Sequence, residues 1–461
     1  MTAPHLDHGF AEAFPELVHA ARGEPQPDPR LVLLNETLAR ELGFDPGWLR
    51  SGEGVAFLLG RGGGDTVAMG YAGHQFGQLS PRLGDGRALL LGELSDAGGG
   101  TRDLHAKGTG PTPFSRGGDG RGALGPMLRE YLVSEAMHAL GVPTTRALAV
   151  ISTGRKIQRA GAVPGAVLVR TAASHLRIGT VQYARLTGDE GLVERLCTYA
   201  RQRHYPGVES HEEFFREVMR SQAATVAQWM RLGFIHGVMN TDNTTLSGET
   251  IDYGPCAFLD RFDPATFFSS IDTHGRYAFR NQPAILGWNL ARLAEAMLPL
   301  FDATGDDPDA AVGKAQAAMD DFPGVWEEAQ ERELARALGT TDGDIARRWL
   351  ALLEEHAPDL TLTNRLLADS PAELAGTVGQ EWVDDWLALS PDTAGLAQLH
   401  PRYIPRNHLL QGALRDAEAG DLDPYLALLA AVTDPFGDHG PELRGPAPEG
   451  FDEMFRTFCG T

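Results

Sequence analysis

Residues 236–255 read HGVMNTDNTTLSGETIDYGP, so that twenty positions carry His236, Asn240, Asp242, Asn243 and Asp252. Residues 244–246 and 249–251 suit two short strands, with Ser247-Gly248 as a two-residue turn. Counting outward from that turn sets Asn243 opposite Asp252, at a Cβ separation of about 5 Å. One amide oxygen and one carboxylate at that spacing could hold a hard cation such as Mg²⁺, with water and phosphate completing its shell. Asp242 leaves the strand on the other face, where an unpaired carboxylate could accept a hydroxyl proton. This is the logic of a kinase catalytic loop followed by its metal-binding Asp-x-Gly, here Asp252-Tyr253-Gly254. The adjacency of Asp242 and Asn243 departs from the protein-kinase spacing of four residues. A polar hairpin whose Asp and Asn cap turns fits the same residues. His236, six residues before Asp242, reads as structural.

Such a loop needs phosphate-binding groups upstream. Residues 103–107 (DLHAK) read as a strand ending at Lys107. The next helix has Pro126 in its first turn, a Leu128–Leu132–Ala136–Leu140 stripe, and Gly141 and Pro143 as its stop. Its acids, Glu130 and Glu135, lie roughly 140° apart at 3.6 residues per turn, so only one can face the strand. Glu130 is the expected partner of Lys107, and Glu135 is expected on a solvated face. Gly84-Asp85-Gly86-Arg87 could approach an anion with backbone N–H groups, or be a plain hairpin turn. The loop 116–122 sets Asp119 and Gly120 between Arg116 and Arg121 just before the helix, which suits an anion or a flexible connector. The apolar strand 167–169 ends at Arg170, and Arg177 follows seven residues later. Together they could clamp phosphate bidentately or serve as surface charges.

The 461 residues carry a formal charge of −22, which argues against nucleic acid or an anionic membrane as partner. No leader-like N-terminus and no membrane-spanning apolar run is visible. Three cysteines (Cys197, Cys256, Cys459) make neither a disulfide framework nor a zinc motif, and a reducing cytoplasm is the expected compartment. An irregular Pro-rich lead, a helix over 31–42 and, beyond 285, helices over 285–301, 309–320, 326–338, 342–356, 371–388 and 407–431 complete the reading.

The segments 71–93, 105–148, 167–183, 236–243, 252–255 and 401–407 together resemble the selenoprotein O family over most of the chain. The resemblance implies an α+β, protein-kinase-like two-lobed fold: a mixed N-lobe with Gly-rich hairpins over about 50–183, and a helical C-lobe with extensions over about 184–461. It also implies that ATP binds reversed and that AMP passes to Ser, Thr or Tyr hydroxyls of proteins, with Mg²⁺ or Mn²⁺. Carried over by motif, Lys107 and Glu130 would position the nucleotide, and Gly84, Gly86, Arg87, Asp119 and Gly120 would line its site. Arg170 and Arg177 would grip the phosphates, Asp242 would accept the proton, and Asn243 and Asp252 would bind the metal. Phe114 stands where the family often has Tyr. Cys459 matches the family's terminal redox residue, but the activation-segment Cys that it pairs with in some relatives is Phe268 here, leaving Cys256 as the nearby substitute. An ordinary phosphotransferase, an inactive nucleotide-binding scaffold, and UTP as donor are the alternatives.

Overall fold

Leu104 and Ala106 point to one face of their strand and His105 and Lys107 to the other, as the two-residue period of a strand requires. A computed structural model, which describes residues 5–62, 64–96, 98–159, 161–302 and 307–458, shows what each face meets. The strand is β7 (Thr101–Lys107), near the middle of an eight-stranded antiparallel sheet ordered β1-β3-β6-β7-β10-β9-β2, with β8 paired to β10. Its other members are β1 (Val18–Ala20), β2 (Arg30–Leu34), β3 (Val67–Met69), β6 (Ala88–Ser95), β8 (Gly122–Ala123), β9 (Arg146–Gln158) and β10 (Ala162–Ala172). A separate hairpin joins β4 (Gly73–Gln75) to β5 (Gln78–Ser80).

One face of the sheet packs Leu89, Leu91, Leu104, Ala106, Val167 and Val169 against the short helices of residues 36–58. On the other face, Leu90, Ala166 and Leu168 meet the helix Leu124–Ala139 and the large core beyond it. Leu168 pairs with Lys107 and Arg170 with His105 across β10 and β7, so two cations and an imidazole share the helix-facing side. A third core gathers Trp349, Trp382 and Trp386 among the C-terminal helices. The fold is therefore mixed α and β, an antiparallel sheet with many helices. No helix among the described residues is long and apolar enough to cross a membrane.

Two long helices, Glu190–His204 and His211–Leu232, follow the sheet, the second ending at Gly233. Several expectations are corrected. Residues 31–42 divide into β2 and a helix, Glu36–Glu41, because Asn35 accepts from the Leu38 amide and caps a helix start there. The expected helices 371–388 and 407–431 each break, around Gly379 and Gly420. Glu135 is buried: it accepts two hydrogen bonds from Arg146 at 2.9 and 2.8 Å and one from Asn35 at 2.8 Å.

The hairpin drawn between Asn243 and Asp252 is not formed. Thr245 instead makes an antiparallel bridge to Arg177, and Thr250 a parallel bridge to Thr144. Two three-residue strands gain little from pairing only with each other. Their backbone groups are satisfied outward instead: Leu246 N donates to Leu176 O and Thr250 N to Pro143 O, both at 2.9 Å.

Residues 255–281 run largely without regular structure, apart from β12 (Ala257–Phe258), which pairs with β11 (Phe234–Ile235), and a turn of 3₁₀ helix at Phe279–Asn281. The far end of the chain lies against this segment. Thr457 bridges Ser269 in parallel, donates its amide to Phe268 O (2.8 Å) and its hydroxyl to Pro255 O (2.7 Å), while Phe455 packs edge-on against Phe268. Cys459 lies outside the described residues.

Candidate active site

The helix-facing end of β7, the β3–β6 connection, the loop before the helix and residues 241–252 enclose a cavity of about 300 Å³. Lys107, Arg170, Arg177, Asp242 and Asp252 line it, together with Gly84, Gly86, Arg87, Asp119 and Gly120. Glu130 stands behind this lining, with one carboxylate oxygen 2.6 Å from Lys107 Nζ and the other 2.5 Å from Arg170 Nη1. Asp252 completes the cluster, accepting from Lys107 and, at 3.1 Å, from Arg170. Burial works against both carboxylates, but the neighbouring cations outweigh it and hold Glu130 below, and Asp252 well below, the usual range. Asp252 adopts a left-handed conformation (φ 67°), uncommon for a residue with a side chain and often found where geometry serves a site.

Asp242 is set differently. It lies in a 3₁₀ turn, Thr241–Asn243, and its Oδ1 is buried with no hydrogen-bond partner. Burial pushes its pKa up to about 6, with Arg177 opposing the rise. Arg177 donates to the Asp242 backbone carbonyl (3.0 Å) and stacks on Tyr71 (4.3 Å), so it fixes the turn without forming an ion pair to the side chain. The β4–β5 hairpin closes over the same turn: His74 N donates to Thr241 Oγ1 and Phe76 N to Asn240 Oδ1. Gly73 permits the approach, because a Cβ there would lie 2.3 Å from Asp242 Oδ1. Gly84 does the same for Phe114, whose ring would meet its Cβ at 2.3 Å, at a backbone φ of 66°.

Asn243 is not among the cavity's lining residues. Its amide nitrogen donates to Val238 O at 2.9 Å, which makes the amide oxygen the end left over for a cation. Among the described residues, no three His, Cys, Asp or Glu side chains converge as a metal cage. Donors of this kind suit a cation that takes most of its ligands from phosphate and water. His236 is buried, stacks on Trp229 and donates through Nε2 to Ile251 O at 2.8 Å, holding the backbone beside Asp252.

Several site residues escape the sequence reading. Behind Lys107, His105 Nε2 donates to Asp85 Oδ2 (3.0 Å), and its ring stacks on His175 at 4.1 Å. His175 hydrogen-bonds Asp103 (3.1 Å), which Arg203 in turn holds at 2.6 Å. Burial lowers the pKa of both imidazoles, that of His175 to about 3, so they pack as neutral rings between the carboxylates. The signal was there: Asp103, His105 and Lys107 alternate along one strand, and three polar side chains on a buried face need partners. Asp119 is held by Arg159 through both carboxylate oxygens (2.9 and 3.0 Å), from the end of the long β9–β10 hairpin, where nothing in the sequence marks it.

Comparison with known proteins places the chain. Residues 8–398 match the family described as protein adenylyltransferase SelO. The chain is 55% identical to the protein nucleotidyltransferase YdiU of Corynebacterium efficiens, covering 99% of this chain and 96% of that protein. It is 51% identical, over the full length of both, to the protein of that name from Mycobacterium sp. (strain KMS). With the Mycolicibacterium smegmatis protein of the same name, identity is 50% over 99% and 98% of the two chains. Matched from residue 8 to 398 and half identical end to end to these enzymes, the chain belongs to the protein adenylyltransferase SelO family, a family of protein nucleotidyltransferases.

Proposed function

We propose that the protein transfers AMP from ATP to Ser, Thr or Tyr hydroxyls of other proteins and releases pyrophosphate. In this reading the molecule is kinase-like and two-lobed, with the nucleotide held by about residues 50–183 and the catalytic turn carried by about 184–461. The observation that carries it is the gathering of Lys107, Arg170 and Arg177 at one cavity, beside a buried carboxylate, Asp242, that none of them neutralises directly. Cations fixed in a buried site stabilise charge developing on a leaving group without having to reorganise. A pyrophosphate leaving group held there, as in a reversed nucleotide, turns the α-phosphate toward Asp242.

The acceptor oxygen then bonds to the α-phosphorus, the bond to the bridging oxygen breaks, and Asp242 takes the hydroxyl proton. A base of pKa near 6 is ionised at neutral pH yet basic enough to assist. Lys107 and Glu130 orient the phosphates, while Gly84, Gly86 and Arg87 on one side and Asp119 and Gly120 on the other bound the nucleotide. Asp252 and Asn243 would hold Mg²⁺ or Mn²⁺, which supplies charge neutralisation at the phosphates. Cys197 and Cys256, both free and buried, are consistent with a reducing cytoplasm.

The test is label transfer to protein from ATP labelled at the α position, beside ATP labelled at the γ position. Label from α alone, reduced by Arg177→Ala, is the expected result. Label from γ alone would make the enzyme a phosphotransferase, and label from neither would make it a scaffold.

A further inference from the structure

The wall of the cavity does not stop at Asp242. Gln75, which lines the cavity, belongs to the β4–β5 hairpin, and the tip of that hairpin, Gly77, touches a second group of side chains. A Cβ on Gly77 would lie 3.6 Å from the Arg276 guanidinium. Arg276 lies over two aromatic faces, those of Trp288 (5.1 Å) and Tyr277 (5.7 Å). Trp288 also carries Arg292 at 5.0 Å and the edge of His74 at 5.2 Å. Tyr277 in turn donates its hydroxyl to Asn240 Oδ1 (2.6 Å), two residues before Asp242, so this group is joined directly to the catalytic turn.

The charges here are unequally matched. Arg292 pairs with Glu295 at 2.5 Å. The acid nearest Arg276 in sequence is Asp272, and its two oxygens accept the backbone amides of Arg276 and Tyr277 (2.9 and 2.8 Å). Among the described residues no carboxylate forms an ion pair with the Arg276 guanidinium, and its Nε has no hydrogen-bond partner. Aromatic contacts hold the cation in place beside Gly77 without neutralising it, in a chain of net charge −22. Exposed Leu79, on the same hairpin, adds apolar surface.

We infer that this rim receives the polypeptide around the acceptor hydroxyl, and that Arg276 selects an acidic side chain close to it. The inference rests on the adenylyl-transfer reading for the position of the acceptor. Strand geometry sets the spacing: Gly73 packs on Asp242 and Gly77 on Arg276, four residues or at most about 13 Å apart along the hairpin. An extended substrate covers that distance in about four residues, so the acid falls within about four positions of the Ser, Thr or Tyr.

The experiment uses the full-length protein and three fluorescein-labelled peptides with a central Ser flanked by Asp, Gln or Lys. The expected result is a kcat/KM ratio of about fivefold for the Asp peptide over the Gln peptide, the size of one well-aligned exposed ion pair, and a lower value still for the Lys peptide. Arg276→Gln should bring the Asp/Gln ratio to about one, and Arg276→Glu should favour the Lys peptide. A purely structural role for Arg276 would lower all three rates without inverting their order. Equal kcat/KM for all three peptides on the unaltered enzyme, with transfer intact, overturns the inference and leaves the activity standing. If no peptide is labelled at all, fluorescence anisotropy with the same peptides decides. Binding that prefers Asp and loses that preference in Arg276→Gln sustains the surface, and indifferent binding overturns it.

Discussion

Lys107 and Arg170 divide one carboxylate, that of Glu130, with an oxygen each at 2.6 and 2.5 Å. Replacing Glu130 by Gln leaves two buried cations with Asp252 as their only carboxylate partner among the described residues. Removing one partner from a buried ionic cluster costs about 3 kcal/mol. Glu130→Gln should therefore lower the melting temperature and reduce both ATP affinity and transfer at least about tenfold. Glu135→Gln, which removes the carboxylate that Arg146 grips on the far side of the same helix, should lower stability alone. Nucleotide titration and thermal melts on the two variants check the contrast.

Asp242→Asn should trade activity for stability. Loss of a general base costs about 10²-fold or more in kcat. The folded pKa of about 6 stands above the ordinary 3.8, so the folded state holds a proton that the unfolded chain has released between those values. Stability is therefore lost as pH rises through that window, and above it the ionised, buried carboxylate costs about 3 kcal/mol. Asn carries no such cost. The gain in stability of Asp242→Asn should be about 1 kcal/mol at pH 4.5 and about 3 at pH 7.5, read from denaturant midpoints at the two pH values. The kcat/KM profile of the unaltered enzyme should rise through a pKa near 6. A flat profile between pH 5 and 7 would remove Asp242 from the role of base.

Gly73→Ala tests the closeness of the hairpin to that base. The added methyl would meet Asp242 Oδ1 at 2.3 Å and Leu83 at 2.5 Å, and one or both must move. Overpacking of this kind costs about 1–3 kcal/mol. A base displaced by about an ångström loses about 10²-fold in rate. Steady-state kinetics should show the loss in kcat, with ATP affinity nearly unchanged.

Cys256 and Cys197 should resist alkylation. Both are buried, and burial pushes their thiols up to about 12. At pH 8 the thiolate fraction is then on the order of a thousandfold below that of a free cysteine, and labelling slows in proportion. Iodoacetamide on the native protein, followed by peptide mass mapping, should find both unmodified until denaturant is added. Fast labelling of Cys256 would restore it as a redox partner for the chain's end.

Much of the site could be read from residue type and helical spacing. Lys107 at a strand end follows from local pattern; helical spacing lets only one of Glu130 and Glu135 face it, and the structure brings Lys107 to Glu130, the one nearer the preceding loop. The turn at 241–252 did not follow, because its pairing is decided by Arg177 and Thr144, which are distant in sequence. A local count sees two short strands and a Gly turn, and cannot see that their neighbours offer better partners. Glu135 was misplaced for a related reason: amphipathic arithmetic identifies the face opposite Glu130 but not the Arg146 and Asn35 waiting there. The Asp103–His105–Lys107 face was legible as alternation, but its partners, among them Asp85, Glu130, His175, Arg203 and Asp252, are scattered along the chain.

The contact of Thr457 with Ser269 has a consequence in time. Ribosomal synthesis delivers the residues around Asp242 and Asp252 long before it delivers Phe455 and Thr457, which brace the segment leading away from them. A nascent chain thus holds its phosphate cations and its base while residues 268–270 still lack the backbone partner they finally take. The bracing of residues 268–270 is thus a late event, set by the order in which the chain is made.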